Sequence, residues 1–167
     1  MDKSPSDAEW QRWLNEYASK FLLFARQKAR SESDAQDLMQ ESIIEAARRH
    51  ASGVPPPPAL VFATIHRRAI DWGRREDRRG ARELAVVATS PAVWFDNGVE
   101  DRERAKLIQE AMTKLPEMYR EVITLKVWGD LTFAEIAQSL GIPANTAASR
   151  YRYGLEQLRQ LTKEVLL

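Results

Sequence analysis

The segment from Thr132 to Tyr153 constrains this chain more tightly than any other. Thr132 is followed three residues later by Glu135, a pairing whose side chains reciprocally satisfy the first free N–H groups of a helix. Ile136, Ala137 and Leu140 supply a buried face for that short helix. Gly141 falls where the chain must turn sharply and a residue without Cβ is least strained. Pro143 then suits the first turn of a second helix. The small Ala137 allows close approach, and Ala147, ten residues on, faces back into the angle between the two helices. This spacing describes a helix-turn-helix. Spacing alone fits a plain helical hairpin with solvated arginines equally well. The capping pair, the glycine turn and the small residues together favour a DNA reader, with its second helix in the major groove.

On that reading the outward positions of the second helix meet DNA. Asn145 is suited to adenine and Arg150 and Arg152 to guanine, while Ala144 and Ala148 can touch a thymine methyl. Thr146 and Ser149 are better placed for phosphates, which position a protein without reading sequence.

The rest of the chain also reads as helix, so the expected fold class is all-α. Phe21, Phe24, Ala25 and Ala29 make one apolar stripe. Ala35, Leu38, Met39, Ser42, Ile43 and Ala46 make a second, opened by Ser33 with Gln36 as a capping signal. Pro55 to Pro58 forbid helix and impose an extended segment. A third stripe carries Phe62, Ile65, Ala69 and Trp72. Ser90-Pro91 and Asn97-Gly98 mark a linker, in which Trp94 and Phe95 are expected to pack on a domain or a partner. Periodicity returns with Leu107, Ala111, Met112 and Leu115, and Pro116 starts a further helix. Two small helical domains joined by a flexible linker follow.

The net charge of +1 averages over opposed segments. From Asp2 to Glu45 there are nine acids against six Lys and Arg, whereas Thr64 to Arg82 holds seven arginines against three acids. Such asymmetry points to a nucleic-acid partner, although arginine-rich faces are often merely solvated. The absence of cysteine excludes disulfides, thiolate metal sites and a cysteine nucleophile. Two separated histidines make no metal site: His66 reads as a core or boundary residue and His50 as a cation at a helix end. No nucleophile–base cluster or phosphate-binding glycine loop is visible, so neither an enzyme nor a cofactor is expected. No apolar run reaches membrane-span length and no secretory signal is apparent, which suggests a cytoplasmic protein.

Residues 115–161, LPEMYREVITLKVWGDLTFAEIAQSLGIPANTAASRYRYGLEQLRQL, closely resemble region 4 of the extracytoplasmic-function sigma factors, group 4 of the sigma-70 family. DAQDLMQESIIEA, from Asp34, is similar to region 2.2, and FATIHRRAIDWGRREDRR, from Phe62, is similar to regions 2.3 and 2.4. The resemblance implies region 2 over residues 1–82, a linker over 83–104 and region 4 over 105–167. It implies docking on the clamp helices of the RNA polymerase largest subunit through Asp37, Leu38, Gln40, Glu41 and Ile44, and contact with the polymerase flap. Asp34, Asp37, Glu41 and Glu45 do form one acidic stripe, which equally suits a solvated helix face. The resemblance further implies minus-10 DNA contact by Arg67, Arg68, Arg74, Arg75, Arg78 and Arg79, minus-35 recognition by region 4, and an anti-sigma factor as partner. Some relatives carry an extra C-terminal regulatory domain, for which a chain ending at Leu167 leaves no room.

Two departures from the family stand out. The loop that captures a separated base carries the four prolines here. Ala147 and Ala148 stand where relatives often have a bulky aliphatic residue and a lysine, with Tyr151 and Tyr153 as candidate compensating contacts. The competing reading is a stand-alone helix-turn-helix regulator that dimerises on symmetric DNA.

Overall fold

The computed structural model describes residues 5–79 and 102–166, and the side chains of residues 7–73 and 102–163. Trp94 and Phe95, and most of the expected linker, lie outside the described residues. The chain divides into two compact units, Met1–Ser90 and Pro91–Leu167. Among the described residues every regular element is an α-helix.

The first unit packs three helices against one another: α1 (Pro5–Lys28), α2 (Glu32–His50) and α3 (Pro58–Arg79). The expected stripes supply its core, with Phe21, Phe24, Ala25, Ala35, Leu38, Ala46, Phe62 and Ile65 all essentially inaccessible. Phe62 is the hub, its ring meeting Phe21 at 4.9 Å and Phe24 at 5.6 Å in edge-on geometry. Such pairs add about 0.5–1.5 kcal/mol beyond the area they bury. The core reaches further toward the N-terminus than the Phe21 stripe indicated, because Trp13 is buried against Phe21 at 5.4 Å.

Three expectations about this unit need correction. The cap of α2 is Ser31, not Ser33: its hydroxyl accepts from the Asp34 backbone N–H at 3.1 Å. The extended segment stops one proline early, because Pro58 is the first residue of α3. There its fixed φ suits the helix and its missing N–H costs nothing. Ala69 and Trp72 are half-buried rather than core. Ala51, in the left-handed region at φ 45°, closes α2, and Trp10 Nε1 donates to the Gly53 carbonyl at 3.3 Å, tying the loop between α2 and α3 to α1.

The second unit holds α4 (Arg102–Lys114), α5 (Glu117–Val127), α6 (Phe133–Leu140) and α7 (Ala144–Leu166). Helix α4 begins three residues inside the segment read as linker. Helix α7 is the spine, packing against α4, α5 and α6. It approaches α5 closely at Gly154, where an added Cβ would lie 2.9 Å from Ile123 Cδ1 and 3.0 Å from Tyr119 Cβ.

Candidate nucleic-acid and polymerase-docking surfaces

In the second unit the local chemistry builds the motif that the spacing described. The Thr132 hydroxyl accepts from the Glu135 N–H at 3.1 Å, and the Glu135 carboxylate accepts from the Thr132 N–H at 3.0 Å, a complete capping box. Gly141 closes α6 at φ 68°, and the Ile142 N–H donates to the Ala137 carbonyl at 3.0 Å. Nothing lies within 4 Å of a Cβ at Gly141, so the positive φ alone demands glycine. Pro143 sits just outside α7 and accepts from the Ala147 N–H at 3.0 Å. Ala147 is fully inaccessible, on the packed side of α7.

The opposite side of α7 faces outward. Ala144, Asn145 and Arg152 are exposed, and Thr146, Ala148, Ser149 and Arg150 are half-buried. By helical period Ala144, Asn145, Ala148, Ser149 and Arg152 fall on that outward face, whereas Thr146 and Arg150 turn toward the packed side. Tyr151 packs its ring on Phe133 of α6 at 5.5 Å, and Lys126 Nζ lies over the same Phe133 ring, 4.6 Å from its centroid. Tyr153 is more than half exposed, with the Arg152 guanidinium 5.6 Å from its ring.

In the first unit α2 exposes Asp37, Gln40, Glu41 and Ile44, with Ile44 at 51%. Leu38 is a correction: it is completely buried, because it falls on the core side of the helix, and it cannot touch a partner in this fold.

Two of the α3 arginines, Arg67 and Arg68, have described side chains, and both are paired. Arg67 and Arg68 do not stand free in solvent. Arg67 Nη2 lies 2.6 Å from Glu45 Oε1, and Arg68 Nε lies 2.6 Å from Glu45 Oε2. Arg68 Nη1 reaches Glu41 Oε2 at 2.9 Å, and Arg49 adds a contact to Glu45 at 3.3 Å. Partial burial pushes the Glu45 carboxyl up, but the Arg68 hydrogen bond and the charges of Arg67, Arg68 and Arg49 outweigh it and hold the carboxyl below its usual range. A second pair, Arg26 to Glu32 at 2.7 Å, joins the end of α1 to the start of α2. Beside the cluster an open cleft of about 220 Å³ is lined by Glu45, Arg67, Arg68, Asp71 and Trp72. Sequence reasoning missed the pairing because the partners lie 22 to 27 residues apart on different helices. The backbone of α3 carries Arg74, Arg75, Arg78 and Arg79, whose side chains lie outside the described residues. Among the described residues no cluster of potential metal ligands occurs, and no helix is long and apolar enough to cross a membrane.

An all-helical chain ending in a helix-turn-helix, preceded by a bundle with acidic and arginine-rich helices, defines a DNA-binding transcription protein. Residues 105–167 match the family described as Sigma-70, region 4. The chain is 30% identical over 132 residues to the ECF RNA polymerase sigma factor RpoE of Cereibacter sphaeroides, covering 79% of this chain and 72% of that one. It is 29% identical over 157 residues to the RNA polymerase sigma factor SigV of Bacillus subtilis, covering 92% and 91% of the two chains. Its fold matches that of the sigma factor RpoE of Bartonella quintana, solved in complex with the anti-sigma factor NepR, with a TM-score of 0.68 at 20% identity over 92% of this chain and 96% of that one. The chain belongs to the extracytoplasmic-function sigma factors of RNA polymerase. Its role is therefore that of a sigma factor acting with RNA polymerase at promoters, not that of a stand-alone dimeric regulator.

Proposed function

We propose that this sigma factor divides promoter recognition between its two units, with residues 1–82 serving the minus-10 element and core polymerase, and residues 105–167 serving the minus-35 element. The observation that carries this reading is that α7 buries Ala147 and Gly154 on one side and leaves Ala144, Asn145 and Arg152 outside on the other. A helix held in this way can enter a major groove without disturbing its own packing. Asn145 and Arg150 are the candidate base readers, with Ala144 and Ala148 against thymine methyls, Thr146 and Ser149 on phosphates and Arg152 at the groove edge. In the first unit the exposed face formed by Asp37, Gln40, Glu41 and Ile44 docks on the clamp helices of the largest subunit, while the flap takes the second unit. The arginines of α3, from Arg67 to Arg79, meet the minus-10 DNA backbone.

The factor performs no chemistry itself and needs no cofactor. It supplies differential binding, for promoter over random DNA and for opened over closed DNA, while the polymerase makes RNA. Holding both units on one polymerase makes the second DNA contact effectively intramolecular, so weak individual contacts suffice. Its site of action is the cytoplasm, and an anti-sigma factor is its regulatory partner, by likeness to the Bartonella protein solved with one.

Co-purification with core RNA polymerase tests the docking face. Wild-type chain is expected to bind stably and the double variant Asp37→Arg plus Glu41→Arg to be lost from the complex. Retention of the double variant would remove this face from the docking surface. Asn145→Ala tests the reading helix, and should weaken binding to minus-35 duplex by about 1–3 kcal/mol at one base pair only.

A further inference from the structure

We propose that the cluster of Glu41, Glu45, Arg67 and Arg68 couples polymerase docking to DNA binding. In the free chain it holds the two arginines neutralised, and it yields Arg68 to a DNA phosphate when docking draws Glu41 away. The inference rests on the reading that α2 docks on polymerase and α3 meets DNA.

The geometry supplies the coupling. Arg68 is the shared member, with Nε on Glu45 and Nη1 on Glu41, at 2.6 and 2.9 Å. With Arg49 on Glu45 and Asp71 beside the cleft, three guanidiniums face three carboxylates, so this part of the surface presents little net charge to an approaching phosphate. The two carboxylates differ in position. Glu45 is the more enclosed, with 24% of its side chain exposed, and contacts both arginines and Arg49. Glu41 is 50% exposed and stands on the outward face of α2 beside Asp37 and Ile44. A basic surface placed against that face competes for Glu41 directly. Arg68 then keeps one carboxylate and regains donors. With 31% of its side chain exposed, and 43% for Arg67, both guanidiniums can be reached through the cleft that they share with Asp71 and Trp72. Asp71 on the rim disfavours phosphate, which keeps the resting cluster closed. Linkage makes the effect reciprocal: whatever factor docking adds to DNA affinity, DNA adds to docking.

The test uses the full chain and a fluorescently labelled duplex of random sequence, followed by anisotropy across a salt series. Glu41→Gln removes the competing charge without opening the core. Free Glu41→Gln is expected to bind about 5-fold more tightly than wild type, with a log–log salt slope steeper by up to about one. Glu16→Gln is the control: it removes the same charge from an exposed position on α1 and should move neither quantity comparably. With core polymerase saturated by wild type or variant, as checked by co-purification, the gain from Glu41→Gln should disappear, because in the docked wild type that carboxylate is already drawn from Arg68. Equal effects of Glu41→Gln and Glu16→Gln, or none, overturn the coupling. A separate arm tests the underlying reading with Arg68→Gln in the polymerase complex. Weaker DNA binding alongside an inert Glu41→Gln would sink the coupling alone. Unchanged DNA binding by Arg68→Gln would sink the assignment of this part of α3 to DNA and the coupling with it.

Discussion

Two glycine-to-alanine substitutions in helix interiors should change stability in opposite directions. Helix propensity favours alanine over glycine by about 1 kcal/mol at an interior position. At Gly73, in α3, nothing lies within 4 Å of the added methyl, so Gly73→Ala should stabilise the first unit by about that amount. At Gly154 the same gain meets a wall. The new Cβ would sit 2.9 Å from Ile123 Cδ1 and 3.0 Å from Tyr119 Cβ, well inside the roughly 3.5–4.0 Å at which carbon pairs are comfortable. Ile123 is 1% exposed, which leaves its Cδ1 little free space to move into, and Tyr119 Cβ moves only with the α5 backbone. Overpacking of this kind costs about 1–3 kcal/mol, so Gly154→Ala should lose about 1 kcal/mol net. Hydrogen exchange of the α5 and α7 amides, read as opening free energies, isolates the second unit. Ile123→Val deletes the crowding Cδ1 and alone costs about 0.5–1.5 kcal/mol. Beside Ala at 154 it should cost less, giving a coupling of about 1 kcal/mol in a double-mutant cycle. If Gly154→Ala stabilises α7 as Gly73→Ala stabilises α3, or if the cycle shows no coupling, the close helix approach is wrong.

Leu38→Ala should destabilise the first unit by about 2–5 kcal/mol in a denaturant melt, and any loss of polymerase binding should track unfolding rather than a missing contact. Thr132→Ala removes one half of the capping box and should cost about 1 kcal/mol, seen as faster exchange at the start of α6. Glu45 has a lowered carboxyl pKa in the folded chain, so its contribution is present above the usual value of 4.5 and is lost as pH falls through the lower folded value. Acid titration of the first unit below pH 4.5 should therefore be shallower in Glu45→Gln than in wild type. Trp10→Phe keeps the ring but not the bond to Gly53, and should speed amide exchange in residues 51–54 while leaving the second unit unchanged.

What the sequence revealed and what it hid follow from the range of each interaction. Thr132 and Glu135, or Gly141 and Ala137, act within one turn of helix, so their spacing in the chain is their spacing in the fold. The apolar stripes succeeded for the same reason, since helical period alone puts Phe62 and Ile65 on one side. Leu38 shows where borrowed roles fail: a position matched to a docking motif fell on the buried side of its helix, and the core stripe had already said so. The cap of α2 was ambiguous because Ser31 and Ser33 each precede a polar residue by three, and only backbone geometry chooses between them. The ion pairs joining α2 to α3 depend on how the two helices are rotated about their axes, which no local pattern encodes. Gly154 carried no sequence signal beyond being a glycine inside a helix.

Helix α7 also bears on how such a protein can diversify. Its inward face is constrained by small residues two turns apart, since Ala147 is fully enclosed and a Cβ at Gly154 would crowd α5. Its outward face is open at Ala144, Asn145 and Arg152, where exchange of one side chain for another disturbs no packing. Descendants of this chain are therefore free to drift in the DNA they prefer while inheriting an unchanged fold, and lineages that lose Gly154 should be found only with a smaller residue opposite it on α5.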